Sequence, residues 1–381
     1  MKVALVHELL TLRGGAERVL RVFADMFPDA PIYTLLYNEK KLGDWFPKVR
    51  IYTASFPTPY ALLPTPYRFN HHLYLSHFPK AIESFDFSEF DLVISSSSAF
   101  AHSIITNGKP KHLSFVNSPA RYLWDRTHDV LEQAGKGFIG PLKRMYLERI
   151  FHKLRIWDCE SAARADRIIV SSKEVQRRVE LYWRRESTVV YPPIDDFWFP
   201  EQGTRNKELI RNQIQHPDYF LVVSTLVPYK RIELAIEACN RLKLYLKIVG
   251  EGPDRKRLEK LAGPTIEFYG YRRGDELRDL YTGAKATIVP GDEDFNLVAL
   301  ESMACGTPVI AYGAGGPLET IIEGKTGEFF MDPTTDSLLG VMENYEQKMY
   351  SFDACRARAA EFSRSAFEKN IHAQIDDLMM K

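Results

Sequence analysis

Short runs of consecutive apolar residues, rich in Val and Ile, recur along the chain and are separated by longer stretches of mixed character. Apolar runs without polar alternation are typical of parallel strands that are covered on both faces. The runs that predict such strands lie at residues 3–6, 91–95, 167–172, 188–192, 219–224, 245–250, 286–290 and 308–312.

Stretches of helical spacing follow several of these runs. Residues 231–242, 254–262 and 275–284 carry apolar side chains on one helical face. A last helix is predicted from about residue 365 to residue 381, after the final strand and helix pair. Strand, helix and strand in repetition predict an α/β fold with doubly wound, Rossmann-like sheets.

The clearest domain boundary is the segment 191–203, which holds three prolines and precedes a new series of strands and helices. We therefore predict a first Rossmann-like domain over residues 1–194, joined by residues 362–381, and a second over residues 195–361. A hinge is expected near residues 192–200. Residues 56–90 are rich in aromatic side chains, Pro and His, and predict an irregular insertion in the first domain.

Charge divides unevenly between the two halves of the chain. The 381 residues carry 50 Lys plus Arg and 50 Asp plus Glu, which gives no indication of a nucleic-acid partner. The balance is +7 over residues 1–194 and −7 over residues 195–381. Two interpretations stay open: the first half binds an anionic membrane or acceptor, or the two domains attract each other.

Cysteine usage and hydropathy indicate the compartment. The four cysteines are scattered without a C-x-x-C pair, which fits a reducing compartment. The N-terminus begins directly with a strand pattern, and no apolar run reaches the 18 residues of a membrane span. We expect a cytoplasmic protein.

Three consecutive carboxylates, at residues 292–294, lie between a predicted strand and a predicted helix. Ligands of open α/β sheets bind at the carboxyl ends of strands, where such loops lie. The free backbone N–H groups near residues 295–297 suit phosphate or sugar oxygens. Glu293 and Glu301, about a turn into the helix, can face one ligand, and a carboxylate can accept from both hydroxyls of a diol. Solvated acids at a helix start are the alternative interpretation.

Several common signatures are incomplete. Residues 323–326 end like a phosphate-binding P-loop, but Glu319 replaces its first glycine. The segments 250–255 and 313–318 lack the third glycine of a dinucleotide fingerprint. The histidines of the aromatic insertion have no neighbouring ligand partners, so neither a metal nor a bound cofactor is expected.

The spacing of Glu293 and Glu301 is the motif E-x7-E, and the chain resembles the retaining glycosyltransferases of family 4. Further segments match that family in order, and the resemblance covers nearly the whole chain. It is closest to the mannosyltransferase-like branch of polysaccharide and glycolipid assembly. The matching segments lie at residues 12–20, 117–125, 170–179, 189–195, 226–238, 249–253, 275–295 and 315–321.

The resemblance implies a GT-B fold, with a cleft between two Rossmann-like domains, and assigns roles to individual residues. Glu301 would hold the ribose of a nucleotide sugar, and Glu293 would hold the sugar. Lys230 would face the diphosphate, where charge develops as the sugar bond breaks. Arg231 is either its helper or a member of an ion pair. The backbone N–H groups of Phe295, Asn296 and Leu297 would add donors.

In the first domain, the resemblance implies that Gly14 and Gly15 let the backbone approach the phosphates and the acceptor. Residues 313–319 could add further N–H donors. Three positions depart from the family pattern, because Asn117 replaces its His, Thr225 replaces an Arg and Asn296 replaces a Gly. Asn117 is still a candidate catalytic residue, since it can hydrogen-bond a sugar.

The reaction implied is transfer of a hexose, mannose favoured, from GDP-mannose or a UDP-hexose to a glycan or lipid-linked acceptor. The anomeric configuration would be retained without a metal, with the donor on the second domain and the acceptor on the first. The three departures motivate an alternative, a non-catalytic sugar-nucleotide or partner-binding protein. An epimerase or phosphorylase on this architecture has no signature here.

The basic stretch 141–157 has two interpretations. It could rest on an anionic membrane near a lipid-linked acceptor, which would place the protein at the inner face of a membrane. The alternative is an ordinary amphipathic helix that covers the sheet.

Overall fold

The chain folds into two compact units, and the computed structural model describes residues 1–55, 75–199, 218–346 and 349–380. The first unit comprises Met1–Tyr191 and Glu368–Lys381, and the second comprises Pro192–Phe367. Most of the predicted insertion, residues 56–74, lies outside the described residues, as does much of the predicted linker.

The first unit is built on a seven-stranded parallel sheet in the order β3-β2-β1-β4-β5-β6-β7. Its strands are β1 (Val3–Leu10), β2 (Ile32–Tyr37), β3 (Ile51–Thr53), β4 (Leu92–Ser97), β5 (Lys111–Val116), β6 (Arg167–Val170) and β7 (Thr188–Val189). The chain moves outward from β1 to β3 and then continues on the other side of β1. This reversal places a switch point between β1 and β4.

Helices flank this sheet and bury its apolar side chains. They are α1 (Gly15–Met26), α2 (Glu39–Leu42), α3 (Phe78–Ile82), α4 (Thr127–Ala134), α5 (Gly140–Ser161) and α6 (Lys173–Trp183). Phe78, Phe100 and Phe151 belong to the main core cluster of this unit. Large aromatic side chains such as these bury much of the apolar area that stabilises a core.

The second unit repeats the architecture with a six-stranded parallel sheet in the order β10-β9-β8-β11-β12-β13. Its strands are β8 (Tyr219–Val223), β9 (Tyr245–Val249), β10 (Ile266–Gly270), β11 (Thr287–Val289), β12 (Val309–Tyr312) and β13 (Gly327–Phe330). The switch point of this sheet lies between β8 and β11. The prediction of an α/β protein with two doubly wound sheets is confirmed.

The helices of the second unit alternate with its strands. They are α7 (Ile232–Leu242), α8 (Arg255–Leu261), α9 (Gly274–Gly283), α10 (Leu297–Ala304), α11 (Pro317–Thr320), α12 (Thr335–Glu343) and α13 (Phe352–Ala360). The last helix, α14 (Arg364–Met379), joins the first unit from Glu368 onward. There the Arg167 guanidinium donates to the Gln374 side chain at 3.0 Å.

Every strand predicted from an apolar run is present, whereas β2, β3, β5, β10 and β13 were not predicted. Their runs are short or interrupted by polar residues. In β5, for example, His112 and Ser114 are buried polar residues. His112 Nε2 lies 2.8 Å from the Ser95 hydroxyl of β4, so a cross-strand hydrogen bond supports a strand that hydropathy alone does not indicate.

Candidate functional site

Three loops of the second unit leave the carboxyl ends of the adjacent strands β8, β11 and β12. They cover residues 224–231, 290–296 and 313–316, and they contain most of the site residues that the resemblance indicates. Because neighbouring parallel strands end at one edge of the sheet, the loops converge at the switch point. This is the ordinary place for a ligand in such a fold.

Glycines let these loops contact one another through their backbones. A Cβ at Gly291 would lie 3.0 Å from Cα of Lys230, and one at Gly316 would lie 2.3 Å from Cα of Phe295. The Gly316 N–H donates to the Glu293 carbonyl at 2.8 Å. The glycines of the segment 313–316 therefore fix the acidic loop in place.

Lys230 and Glu293 form an ion pair at the centre of these loops, with 2.5 Å between Nζ and Oε2. Their side chains are 20% and 18% exposed, so both remain accessible to a ligand. Burial lowers the pKa of Lys230, but the negative charges of Glu293 and Asp294 outweigh it and raise that pKa above 10.5. Lys230 is thus a permanent cation at the carboxyl edge of the sheet.

The helix α10 begins at Asn296, which adopts the left-handed conformation with φ of 76°. Its Oδ1 accepts a hydrogen bond from the Ala299 N–H at 3.1 Å and caps the helix. The residue thereby keeps the backbone geometry for which glycine is usually required, as expected from its tolerance of positive φ. Phe295 is buried against Phe362, so only its backbone is available to a ligand.

Glu301 lies in α10 and is 2% exposed. The hydroxyl of Tyr281, on α9, donates to Glu301 Oε2 at 2.8 Å. Tyr281 is itself buried and packs edge-on against Trp198 at 5.6 Å between ring centroids. The carboxylate is therefore held in one orientation.

The remaining predicted donor-site residues lie around this centre. Arg231 has a left-handed backbone, and its guanidinium donates to the Pro333 carbonyl at 3.0 Å. Leu297 is the first residue of α10. Thr225 is exposed in the loop after β8 and supplies no charge there.

The segment 249–253, which also matches the family pattern, has a structural role. A Cβ at Gly250 would lie 1.8 Å from the Ser224 carbonyl oxygen, and one at Gly252 would lie 2.2 Å from that of Leu226. Gly250 also has φ of 138°. These two glycines let the loop after β9 support the loop that carries Lys230.

In the first unit, Gly14 and Gly15 lie where α1 begins after β1. The Gly14 N–H donates to Glu17 Oε2 at 2.9 Å, and a Cβ at Gly14 would lie 2.7 Å from that oxygen. Glu17 Oε1 lies 3.7 Å from His7 Nε2. Burial lowers the pKa of His7, but the nearby carboxylates outweigh it and raise that pKa above 6.5.

Asn117 follows β5, at the same edge of the sheet as the glycine loop. Its side-chain amide donates to the Ser96 hydroxyl at 3.1 Å, and the Ser96 carbonyl lies 2.9 Å from His7 Nδ1. Asn117 and His7 are therefore linked through Ser96 of β4, and Glu17 extends this link from His7 to Gly14. The Asn117 side chain is half-buried and already engaged with this strand.

The end of the segment 117–125 packs inward rather than facing a ligand. Trp124 and Trp183 both donate their indole N–H to Asp158 Oδ2, at 2.8 and 2.7 Å. Asp158 Oδ1 lies 3.4 Å from His102 Nε2. Burial raises the pKa of Asp158 to about 7 and lowers that of His102 to about 3.

Asp158→Asn should remove a pH dependence of stability. The pKa of Asp158 is above its unfolded value of 3.8, so its favourable contribution is complete below pH 3.8 and is lost as the pH rises through about 7. Between these values the wild type should lose up to about 1.4 kcal/mol per pH unit relative to the Asn variant. Urea midpoints of both proteins at pH 5 and pH 8 measure this change.

The exposed neighbour Glu160 supplies a matched control, because Glu160→Gln removes a carboxylate from the same helix without touching the indoles. The urea midpoint of this control should change with pH in parallel with that of the wild type. If the stability of Asp158→Asn also changes with pH in parallel with that of the wild type, Asp158 titrates normally and the prediction is wrong.

Sequence reasoning did not identify Tyr281, Glu17 or His7. Tyr281 occurs in an ordinary amphipathic helix pattern, so no local signal marks it. His7 and Glu8 are two polar residues inside the apolar strand β1, and both are buried. That interruption was the available signal, because buried polar groups require partners.

Comparison with known proteins gives one family match. Residues 205–360 match the family described as Glycosyl transferases group 1. An uncharacterized glycosyltransferase of Methanocaldococcus jannaschii is 29% identical over 168 residues, covering 43% of this chain and 44% of that protein. A GDP-mannose-dependent alpha-mannosyltransferase of Mycolicibacterium smegmatis is 39% identical over 106 residues, 28% of either chain. The chain thus spans less than half the length of these two relatives.

A solved structure is similar over almost the whole chain. The Anabaena protein Alr3699/HepE, in complex with UDP, has a TM-score of 0.71 and 16% identity, and the match covers 99% of this chain and 100% of that one. At this identity the likeness concerns the fold alone. It confirms the predicted GT-B fold of two Rossmann-like domains.

Proposed function

We propose glycosyl transfer for this chain, because residues 205–360 match the family described as Glycosyl transferases group 1 and the motifs of the chain resemble those of retaining glycosyltransferases. A hexose, for which we favour mannose, is transferred from a nucleoside diphosphate donor to a hydroxyl of a glycan or lipid-linked acceptor. The observation that carries the proposal is the Lys230–Glu293 ion pair, which lies at the switch point of the second unit beside the start of α10.

Each part of this arrangement suits one part of a nucleotide sugar. The diphosphate competes with Glu293 for the Lys230 ammonium, and phosphate oxygens suit the backbone N–H groups at the start of α10. Glu293 is then free to accept hydrogen bonds from sugar hydroxyls. Glu301 accepts from the ribose hydroxyls, with Tyr281 holding its carboxylate in place.

The chemical step exchanges one bond at the anomeric carbon for another. The acceptor hydroxyl attacks from the face that the diphosphate leaves, so the configuration is retained. The bond between the sugar and the β-phosphate breaks, the new glycosidic bond forms, and the hydroxyl proton passes to a phosphate oxygen. Lys230 stabilises the negative charge that develops on the leaving diphosphate.

The relatives support this donor class without selecting one donor. The name of the Mycolicibacterium relative specifies GDP-mannose, and the Anabaena structure contains UDP. We propose GDP-mannose first and a UDP-hexose second. The acceptor is proposed to bind the first unit near Gly14, Gly15 and Asn117, at the inner face of a membrane.

Calorimetric titration tests the donor proposal directly. The purified protein is titrated with GDP-mannose, UDP-glucose, UDP-N-acetylglucosamine and the free nucleotides. Selective binding of one nucleotide series is the expected result, and it identifies the base. Absence of binding to the whole panel would reject the proposed donors and favour a non-catalytic, partner-binding protein, because Thr225 supplies no cation at the position where the family pattern has Arg.

A further inference from the structure

Five large apolar side chains are exposed where α5 begins. We call residues 138–146 the apolar tip. Its exposed apolar residues are Phe138 (103%), Ile139 (67%), Leu142 (67%), Met145 (46%) and Tyr146 (59%). Single exposed apolar residues are normal on a protein surface, but a contiguous group marks an interaction site.

The apolar tip is distinct from the face by which α5 packs on the first unit. Leu147, Ile150, Phe151 and Leu154 contribute to the core cluster of that unit. The second half of the helix therefore matches the interpretation of 141–157 as an ordinary amphipathic helix. The tip precedes this packed part, and its side chains face away from the core.

Cations surround the apolar tip. Residues 136–153 contain five Lys or Arg and a single acid, Glu148, which pairs with Arg144 at 2.9 Å. Among the described residues, Lys136, Lys143, Arg149 and Lys153 have no ion-pair partner. The neighbouring helix α4 adds the exposed acids Asp129 and Glu132. The region 127–153 as a whole stays positive.

We propose that the apolar tip inserts into the interface of an anionic lipid bilayer. Exposed aromatic and aliphatic side chains with basic residues on the same helix are the combination that binds such a surface. The charge of this surface indicates an anionic lipid as the partner, because unpaired lysines flank the apolar residues and attract anionic headgroups. Among the described residues, no helix is long and apolar enough to cross a membrane.

This attachment rests on the proposed function for its acceptor and adds the surface by which the first unit would reach a membrane. It would place the first unit, with its proposed acceptor site, at the surface where a lipid-linked acceptor is found. The apolar tip and the donor site belong to different units. Each can therefore fail a test without affecting the other.

Vesicle co-sedimentation tests the proposal with the full-length protein. Vesicles of phosphatidylcholine alone are compared with vesicles of phosphatidylcholine and phosphatidylglycerol at 3:1, at low and at high salt. The wild type is expected to bind the anionic vesicles, and to bind them at least about tenfold more weakly at high salt, because salt screens exposed charges. No binding at low salt, or equal binding to both vesicle types, would overturn the proposal.

Two variants separate the apolar from the charged contribution. Phe138→Ser combined with Leu142→Ser should weaken binding at least about tenfold. Lys143→Glu should weaken it at least about fivefold. The control is Val49→Ser, which changes an exposed apolar residue in the turn Lys48–Arg50 and should leave binding unchanged. Unchanged binding of the double Ser variant would overturn the proposal.

Two further measurements distinguish lipid binding from self-association and from a loss of folding. If the apolar tip is instead an interface between two copies, size-exclusion chromatography without lipid will show a dimer that the double Ser variant converts to a monomer, which overturns the lipid assignment. Nucleotide titration should give the same affinity for the wild type and the double Ser variant. Loss of vesicle binding with unchanged nucleotide affinity and an unchanged melting temperature supports the proposal, whether or not transfer is observed.

Discussion

Lys230→Ala should lower the rate of nucleoside diphosphate release from the donor by about 10²- to 10³-fold, the usual effect of removing one group that stabilises transition-state charge. The structure places this cation 2.5 Å from Glu293, and the carboxylates around it keep it protonated. Release can be followed without an acceptor, because donor hydrolysis transfers the sugar to water. The measurement therefore does not depend on knowing the natural acceptor.

The variant also leaves Glu293 without its partner, so a second substitution is required for interpretation. The double variant Lys230→Ala with Glu293→Gln removes both charges. It shows whether the rate falls because Lys230 is absent or because Glu293 is left without its partner. Arg241→Ala is the control, because it breaks an exposed ion pair with Asp336 in the same unit and should change the rate less than about twofold. If the Lys230 variant is as active as this control, Lys230 does not take part in the mechanism.

Glu301→Ala should lower nucleotide affinity by about ten- to a hundredfold, because hydrogen bonds to a charged group contribute about 1.5–3 kcal/mol. Tyr281→Phe should have a smaller effect, since it removes only the hydroxyl that orients the carboxylate. Calorimetric titration with UDP or GDP, whichever the wild type binds, measures both changes.

A general loss of structure could imitate this result, because Glu301 is almost fully buried. Comparison of the nucleotide with its 2′,3′-dideoxy analogue separates a lost ribose contact from a lost fold. The wild type should prefer the nucleotide, and Glu301→Ala should bind both ligands equally. If the variant still prefers the nucleotide to the same extent, Glu301 does not contact the ribose.

Several features of the site could be predicted because they depend on neighbouring residues in the chain. The strand β11, the acidic loop and the start of α10 are contiguous in the chain. Asn296, which replaces the family's glycine, belongs to the same stretch, and its left-handed conformation is one that few residues other than glycine adopt.

Features that depend on contacts between distant segments could not be predicted. The pairing of Tyr281 with Glu301 joins two helices, and the support of the Lys230 loop by Gly250 and Gly252 joins two loops. The same limit applies to the interpretation of 141–157. Helical periodicity identified an amphipathic helix there, but it could not separate the packed half of α5 from the exposed apolar tip.

By itself, the sequence determined the α/β class and the division into two doubly wound domains, since these follow from the apolar runs and their spacing along the chain. Only the tertiary structure decided which polar groups meet: Lys230 with Glu293, Tyr281 with Glu301 and Asn117 with Ser96. Local preferences act over a few residues, whereas burial and hydrogen bonding of a side chain depend on segments that only the folded sheet brings together.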